Sequence, residues 1–110
     1  MSHIRSLTVE PLRVSPAEAV VVVRVDLVRP FDPVEVRARL VGPKCEGRTT
    51  VEVAYPLTQA PGLVPIFSAV IPEPNLWTPD APFRYDGRVE VWADGRRVEV
   101  REFAVELRAK

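Results

Sequence analysis

Cysteine, histidine and glycine are scarce in this 110-residue sequence, and each scarcity removes a class of function. The single Cys45 cannot make an internal bridge, so the chain is not a small secreted domain stapled by disulfides. The single His3 has no second histidine for a metal site or a catalytic triad, and near the terminus it reads as a frayed end. Five glycines are scattered through turns, which leaves no glycine-rich loop to cradle a phosphate. No apolar run approaches the ~20 residues of a membrane helix, and the opening MSHIRSLTVE lacks the apolar stretch of a signal peptide. The expected location is therefore cytoplasmic, unless a leader is missing from the chain. An excess of charge is lacking too. Fifteen basic and fifteen acidic residues cancel, which argues against nucleic acid or an anionic membrane as the main partner.

Helical periodicity is also missing, and what replaces it is alternation with a period of two. Val21, Val23, Val25 and Leu27 share one face of a strand, with Arg24 and Asp26 on the other. Val34, Val36, Ala38 and Leu40 alternate with Glu35, Arg37 and Arg39. Val51, Val53 and Tyr55 form a further set, then Phe67, Ala69 and Ile71, then Tyr85, Val89 and Val91, then Val98 and Val100. With Leu7 and Val9 near the start, seven strands are predicted. Turn signals divide them: Ser15-Pro16, Pro30 to Pro33, Gly42-Pro43-Lys44, Ala60-Pro61-Gly62, the segment IPEPNLWTPDAPFRY and Asp94-Gly95. The twelve prolines sit almost wholly in these connections, because proline cannot donate to a sheet ladder. Pro11 and Pro65 interrupt strand-like runs and are assigned to edges or kinks. Seven short strands with regular turns define an all-β expectation: one immunoglobulin-like sandwich over residues 1–110, in two antiparallel sheets. Folding should bury roughly two-thirds of the chain's surface, enough for a core without disulfides.

Asp94-Gly95 suits a type I′ hairpin, whose two central residues need positive φ. A two-residue loop sets Val91 opposite Val98 and Val89 opposite Val100, but also Glu90 opposite Glu99. A four-residue loop would set Glu90 opposite Arg101; the shorter one is favoured. Beyond Val100 the apolar positions shift to Phe103, Val105 and Leu107. A β-bulge at Arg101-Glu102 would restore their facing.

The long proline-rich segment from Ile71 to Tyr85 must cross from one sheet to the other over an end of the sandwich. Leu76 and Trp77 can plug the core there, and Tyr85 sits where a tyrosine corner would bond backbone upstream. These residues carry a resemblance. PNLWTPDAPFRY, followed by DGRVEVWADGRRVEVREFAVELR, resembles the immunoglobulin-like sandwich domain of family 2 glycoside hydrolases, the β-galactosidases, β-glucuronidases and β-mannosidases. Pro74, Leu76, Trp77, Pro79, Pro82 and Tyr85 match that domain's loop, with Thr78 in place of serine and Arg84 in place of a second leucine. At the exit, Phe103 to Arg108 lacks the family's glycine. The resemblance implies a catalytic barrel elsewhere in the family's proteins. The family's glutamates belong to that barrel, so no catalytic residue carries over to this sequence, and no enzyme activity is expected.

Hydrolysis of a glycoside would need two carboxyl groups facing each other ~5–9.5 Å apart across a cleft. Glu35, Glu52, Glu90 and Glu99 instead alternate along strands as a solvated face. Asp32, Asp80 and Asp94 sit in turns, with Asp80 at the opposite end from the other two. Cys45, beside Lys44 in a turn, reads as a free surface thiol. Neither a metal nor another cofactor is implied. Binding residues are sought among the apolar side chains on outward positions. Trp92 shares a face with Arg88 and Glu90, free to stack on a sugar or anchor a protein, or else to pair with Arg97 across the hairpin. Val20 and Val22 lie on the polar side of their strand and, with Trp92, suggest one apolar patch suited to self-association. Trp77 is the second stacking candidate. The expectation is a non-catalytic accessory module contacting a protein or a second copy, with a carbohydrate-binding module as the alternative.

Overall fold

A computed structural model describes residues 2–60 and 62–109. The fold is all-β, as the alternation requires. Eight strands run in chain order: β1 Ile4–Leu12, β2 Glu18–Leu27, β3 Glu35–Lys44, β4 Val53–Pro56, β5 Thr58–Gln59, β6 Ile66–Pro72, β7 Arg84–Ala93 and β8 Arg96–Val105. They form two antiparallel sheets, the first in the order β1-β2-β6-β5 and the second in the order β4-β3-β7-β8. The count exceeds seven because the run around Tyr55 is divided. β4 pairs with β3, and after Leu57 the chain passes to the other sheet, where β5 pairs with β6. Of the predicted turn at residues 60–62, Pro61 lies outside the described residues.

The core forms where the alternating apolar faces meet. Val21, Val23 and Val25 of β2 and Phe67 and Ile71 of β6 pack against Val36 and Leu40 of β3 and Val89 and Val91 of β7. Val51 and Val53 do not join them: Val51 is 86% exposed and only Tyr55 of that set reaches the core, its ring edge-on to Tyr85 at 6.0 Å. β4 is a four-residue edge strand, too short to bury a full alternating face. Pro11 sits on β1, an edge strand, where proline is tolerated.

Tyr85 closes one end. Buried at the start of β7, its hydroxyl accepts the N–H of Asn75 at 2.9 Å, the expected tyrosine corner. Burial, only partly opposed by that hydrogen bond, raises its pKa above the ordinary tyrosine value. Leu76 packs on the core, Pro74 is buried, and the Trp77 N–H donates to the Leu107 carbonyl at 2.8 Å. The proline-rich segment is thus fastened at both its start and its middle.

The last hairpin has the two-residue Asp94-Gly95 loop, with φ of 52° and 74°, and Ala93 opposite Arg96. The bulge lies elsewhere than expected. Register shifts between Trp92, which faces Arg97, and Val91, which faces Glu99, so Val98 is the unpaired residue. Consequently Val98 and Val100 point outward, 45% and 37% exposed, and Glu99 and Arg101 take the inward positions opposite Val91 and Val89. An early bulge lets Phe103 and Val105 keep the core facing without a second shift. Phe103 lies directly over Gly87, whose missing side chain makes the room: a methyl group there would overlap the ring.

Candidate functional site

The outward residues of the second sheet form cross-strand rows. Glu35 faces Trp92 and Arg37 faces Glu90, while Arg39 faces Arg88, which in turn faces Glu102; Val41 faces Asp86, which faces Ala104. Most charges here are satisfied by neighbours. Arg37 donates to Glu35 at 2.9 Å and Arg97 to Glu90 at 3.0 Å. The Arg37 hydrogen bond holds the Glu35 carboxyl below its usual range, and the Arg97 hydrogen bond does the same for Glu90 against some burial. Lys44 is shared between Asp86 at 3.3 Å and Glu52 at 3.4 Å, and these bonds raise its pKa. Such exposed pairs contribute little to stability, but together they leave the sheet face close to neutral.

One row departs from this. Arg39 and Arg88 stand directly opposite on neighbouring strands, a like-charge pair that is unfavourable in a sheet. Arg88 is relieved by Glu102 at 3.3 Å; Arg39 makes no ion pair among the described residues. The two line an open groove of about 570 Å³ together with Lys44 and Arg84, with Asp86 and Glu102 as its acids and Gly87 and Ala104 among its lining. Neither arginine is among the binding residues that the sequence suggests. Alternation placed both outward, but their meeting depends on the register between β3 and β7, which are far apart in the chain.

Trp92 lies on this same outer face, half-buried rather than open. The Arg37 guanidinium, not Arg97, sits over its ring at 4.2 Å, and its indole N–H donates to Glu90 at 3.3 Å. Arg37 reaches it from the adjacent strand because Glu35 faces Trp92 and Arg37 is two residues further on. Trp77 is covered likewise, by Arg108 at 3.8 Å. Each indole therefore carries a cation on one face, the geometry of a cation–π pair.

Val20 and Val22 are not near Trp92. They are outward on β2, in the first sheet, whereas Trp92 is outward on β7, in the second, so the core separates them and no single patch contains all three. The valines join Leu12 and Val70 instead, which face Val20 from β1 and β6.

Three other residues are placed differently from expectation. Cys45 is buried, its thiol 3.7 Å from the Glu46 carbonyl, rather than a surface thiol, and the Lys44 ammonium is engaged with carboxylates. His3 is not frayed: its N–H donates to Glu99 and its carbonyl accepts the Val28 N–H at 2.9 Å. Glu99 is not part of a solvated face. Its side chain is 13% exposed and accepts the Ile4 N–H at 3.1 Å, the Ser2 hydroxyl at 3.0 Å and the Arg101 guanidinium at 3.2 Å. Burial pushes the Glu99 carboxyl up, but the hydrogen bonds from His3, Ser2 and Ile4 and the Arg101 charge outweigh it, so the pKa lies below the ordinary value. Phe31, at the tip of the β2–β3 connection, is the aromatic left open, 81% exposed.

A family model, that of the glycosyl hydrolases family 2, matches residues 2–108, and the chain belongs to that family. The match spans the sandwich from the first strand to the Phe103–Arg108 exit. No curated protein matches the chain significantly.

Proposed function

We propose that this chain is a non-catalytic accessory module that acts by protein contact, through an outer sheet face rather than a cleft. The observation that carries this is the second sheet's outer face, where three strands of ten residues each bear near-neutralised charges around a half-buried tryptophan. Tryptophan and arginine are the residues on which protein interfaces most often depend. The family match over this all-strand sandwich supports the non-catalytic part of the reading. The carboxylates of this face are held by neighbouring cations in one plane, unlike a facing acid pair across a substrate cleft.

The carbohydrate-binding alternative has less support, since a guanidinium already occupies one face of each indole. Three measurements test the proposal. Light-scattering mass, taken from micromolar to near-millimolar, should show a concentration-dependent dimer that Trp92→Arg abolishes if the partner is a second copy, and a monomer if it is another protein. Incubation with nitrophenyl β-galactoside, β-glucuronide and β-mannoside should release no nitrophenol. Turnover that tracks the purified chain would overturn the non-catalytic reading. A tryptophan fluorescence shift with a simple sugar, lost in Trp92→Ala, would favour carbohydrate binding instead.

A further inference from the structure

We propose that the groove over Arg39 and Arg88 receives a carboxylate from an acidic patch on a partner protein, and so marks where the module docks. The inference rests on the protein-contact reading above and adds a location and a partner chemistry.

One arrangement on this face is not favoured by folding alone. Two arginines face each other across β3 and β7, and only Arg88 has a carboxylate near it. Four cations line the groove against two acids, Asp86 and Glu102. Asp86 is already bonded to Lys44 and to Arg84 at 3.2 Å, and Glu102 lies on the far side of Arg88 from Arg39. Arg39 is therefore the cation with unused donors, beside a second guanidinium whose repulsion a negative occupant would remove. A guanidinium presents its donors as a planar fork matched to a carboxylate.

The shape selects the source of that carboxylate. The groove is half-open on the outer face of a sheet and lined mainly by charged side chains, unlike the mostly apolar, enclosing pockets that hold cofactors and small substrates. The molecule measures 44 × 26 × 19 Å, so its broad face has room for the ~800 Å² per partner of an ordinary protein interface. Val41 and Ala104 in the lining, with the exposed Val100 one row away, supply apolar contact around a charged centre. A glutamate or aspartate on a protein surface can reach such a site while its own backbone stays outside.

The test uses the full chain and a defined ligand. Hexaglutamate is titrated into the labelled protein while amide resonances are followed by NMR, with hexalysine and free glutarate as controls. Saturable shifts are expected at Arg39, Val41, Gly87, Arg88 and Ala104, weakening as salt is added, with none from hexalysine. Arg39→Gln and Arg88→Gln should each weaken binding about tenfold. Arg39→Gln should also melt no lower than the parent without ligand, because it removes a like-charge contact; a clear fall in its melting temperature would assign Arg39 a structural role and overturn the proposal. Absence of saturable shifts, or shifts unchanged in both variants, overturns it as well. Glutarate binding as tightly as the peptide would make the site one for free small acids, against a protein occupant. The two readings fail separately. A dimer in light scattering that both arginine variants leave intact would keep protein contact and remove the groove, whereas glycoside turnover alongside intact hexaglutamate binding would keep the groove and remove the non-catalytic reading.

Discussion

Glu99, on the last strand of one sheet, accepts the backbone N–H of Ile4, on the first strand of the other, at 3.1 Å. Arg101 completes the contact, donating to Glu99 at 3.2 Å and to the Ile4 carbonyl at 3.0 Å. Inward charges on an edge strand discourage pairing with another molecule's edge. Here they also join the two sheets. Glu99→Gln should lower stability by about 2 kcal/mol in urea unfolding, the scale of a hydrogen-bonded charge losing its ionic character.

The same residue gives a pH dependence. Its folded pKa lies below the unfolded value, so its contribution is present above the ordinary glutamate value of about 4.3 and is lost as pH falls through the folded value. The stability gap between parent and Glu99→Gln should therefore be widest near neutrality and narrow in strong acid. A gap constant from about pH 7 to about pH 3 would mean that the ionised carboxylate is not what holds β1.

Tyr85→Phe removes the acceptor of the Asn75 N–H while keeping the buried ring. A loss of about 1–2 kcal/mol is expected, together with faster hydrogen exchange at Asn75. Unchanged exchange there would assign the ordering of the proline-rich segment to Leu76, Pro74 and the Trp77–Leu107 hydrogen bond.

Gly87→Ala places a methyl group where the Phe103 ring lies. Overpacking of this kind costs about 1–3 kcal/mol. The combination Gly87→Ala with Phe103→Leu should recover part of the loss, and additive losses in the double variant would mean that the two positions do not meet.

The position of the β8 bulge can be read from valines. Val98→Thr lies outside the core and should change stability by no more than ~0.5 kcal/mol. Val91→Thr, at a fully buried position on the strand opposite, should cost about 2 kcal/mol by burying a hydroxyl. Equal losses at the two positions would place Val98 inward.

The sandwich was legible in the sequence because β2, β3, β6 and β7 bury their faces fully enough to force strict alternation. The Tyr85 corner was legible for a different reason: the loop that it anchors is local, and its prolines fix the spacing. Strand β8 was not. Val98 and Val100 alternate as a buried strand would, and only the partner across the sandwich decides that Glu99 and Arg101 turn inward. A carboxylate two residues from arginines on either side looks solvated unless backbone N–H groups from a segment nearly a hundred residues away are known to meet it. The patch expected from Val20, Val22 and Trp92 failed on a similar point. Alternation shows that a residue is outward, but not from which sheet. The Arg39–Arg88 pair went unread because register between β3 and β7 is set by neither strand alone.

The division of the strand pair at Leu57 gives the molecule two different seams. Along one long side the layers are joined covalently, where the chain steps from β4 in one sheet to β5 in the other. Along the opposite side β1 and β8 are fastened by Glu99 and Arg101, side chains whose grip depends on ionisation. One margin behaves as the spine of a book and the other as its clasp. Protonation of Glu99 would loosen the clasp, whereas the spine, being the chain itself, is indifferent to pH.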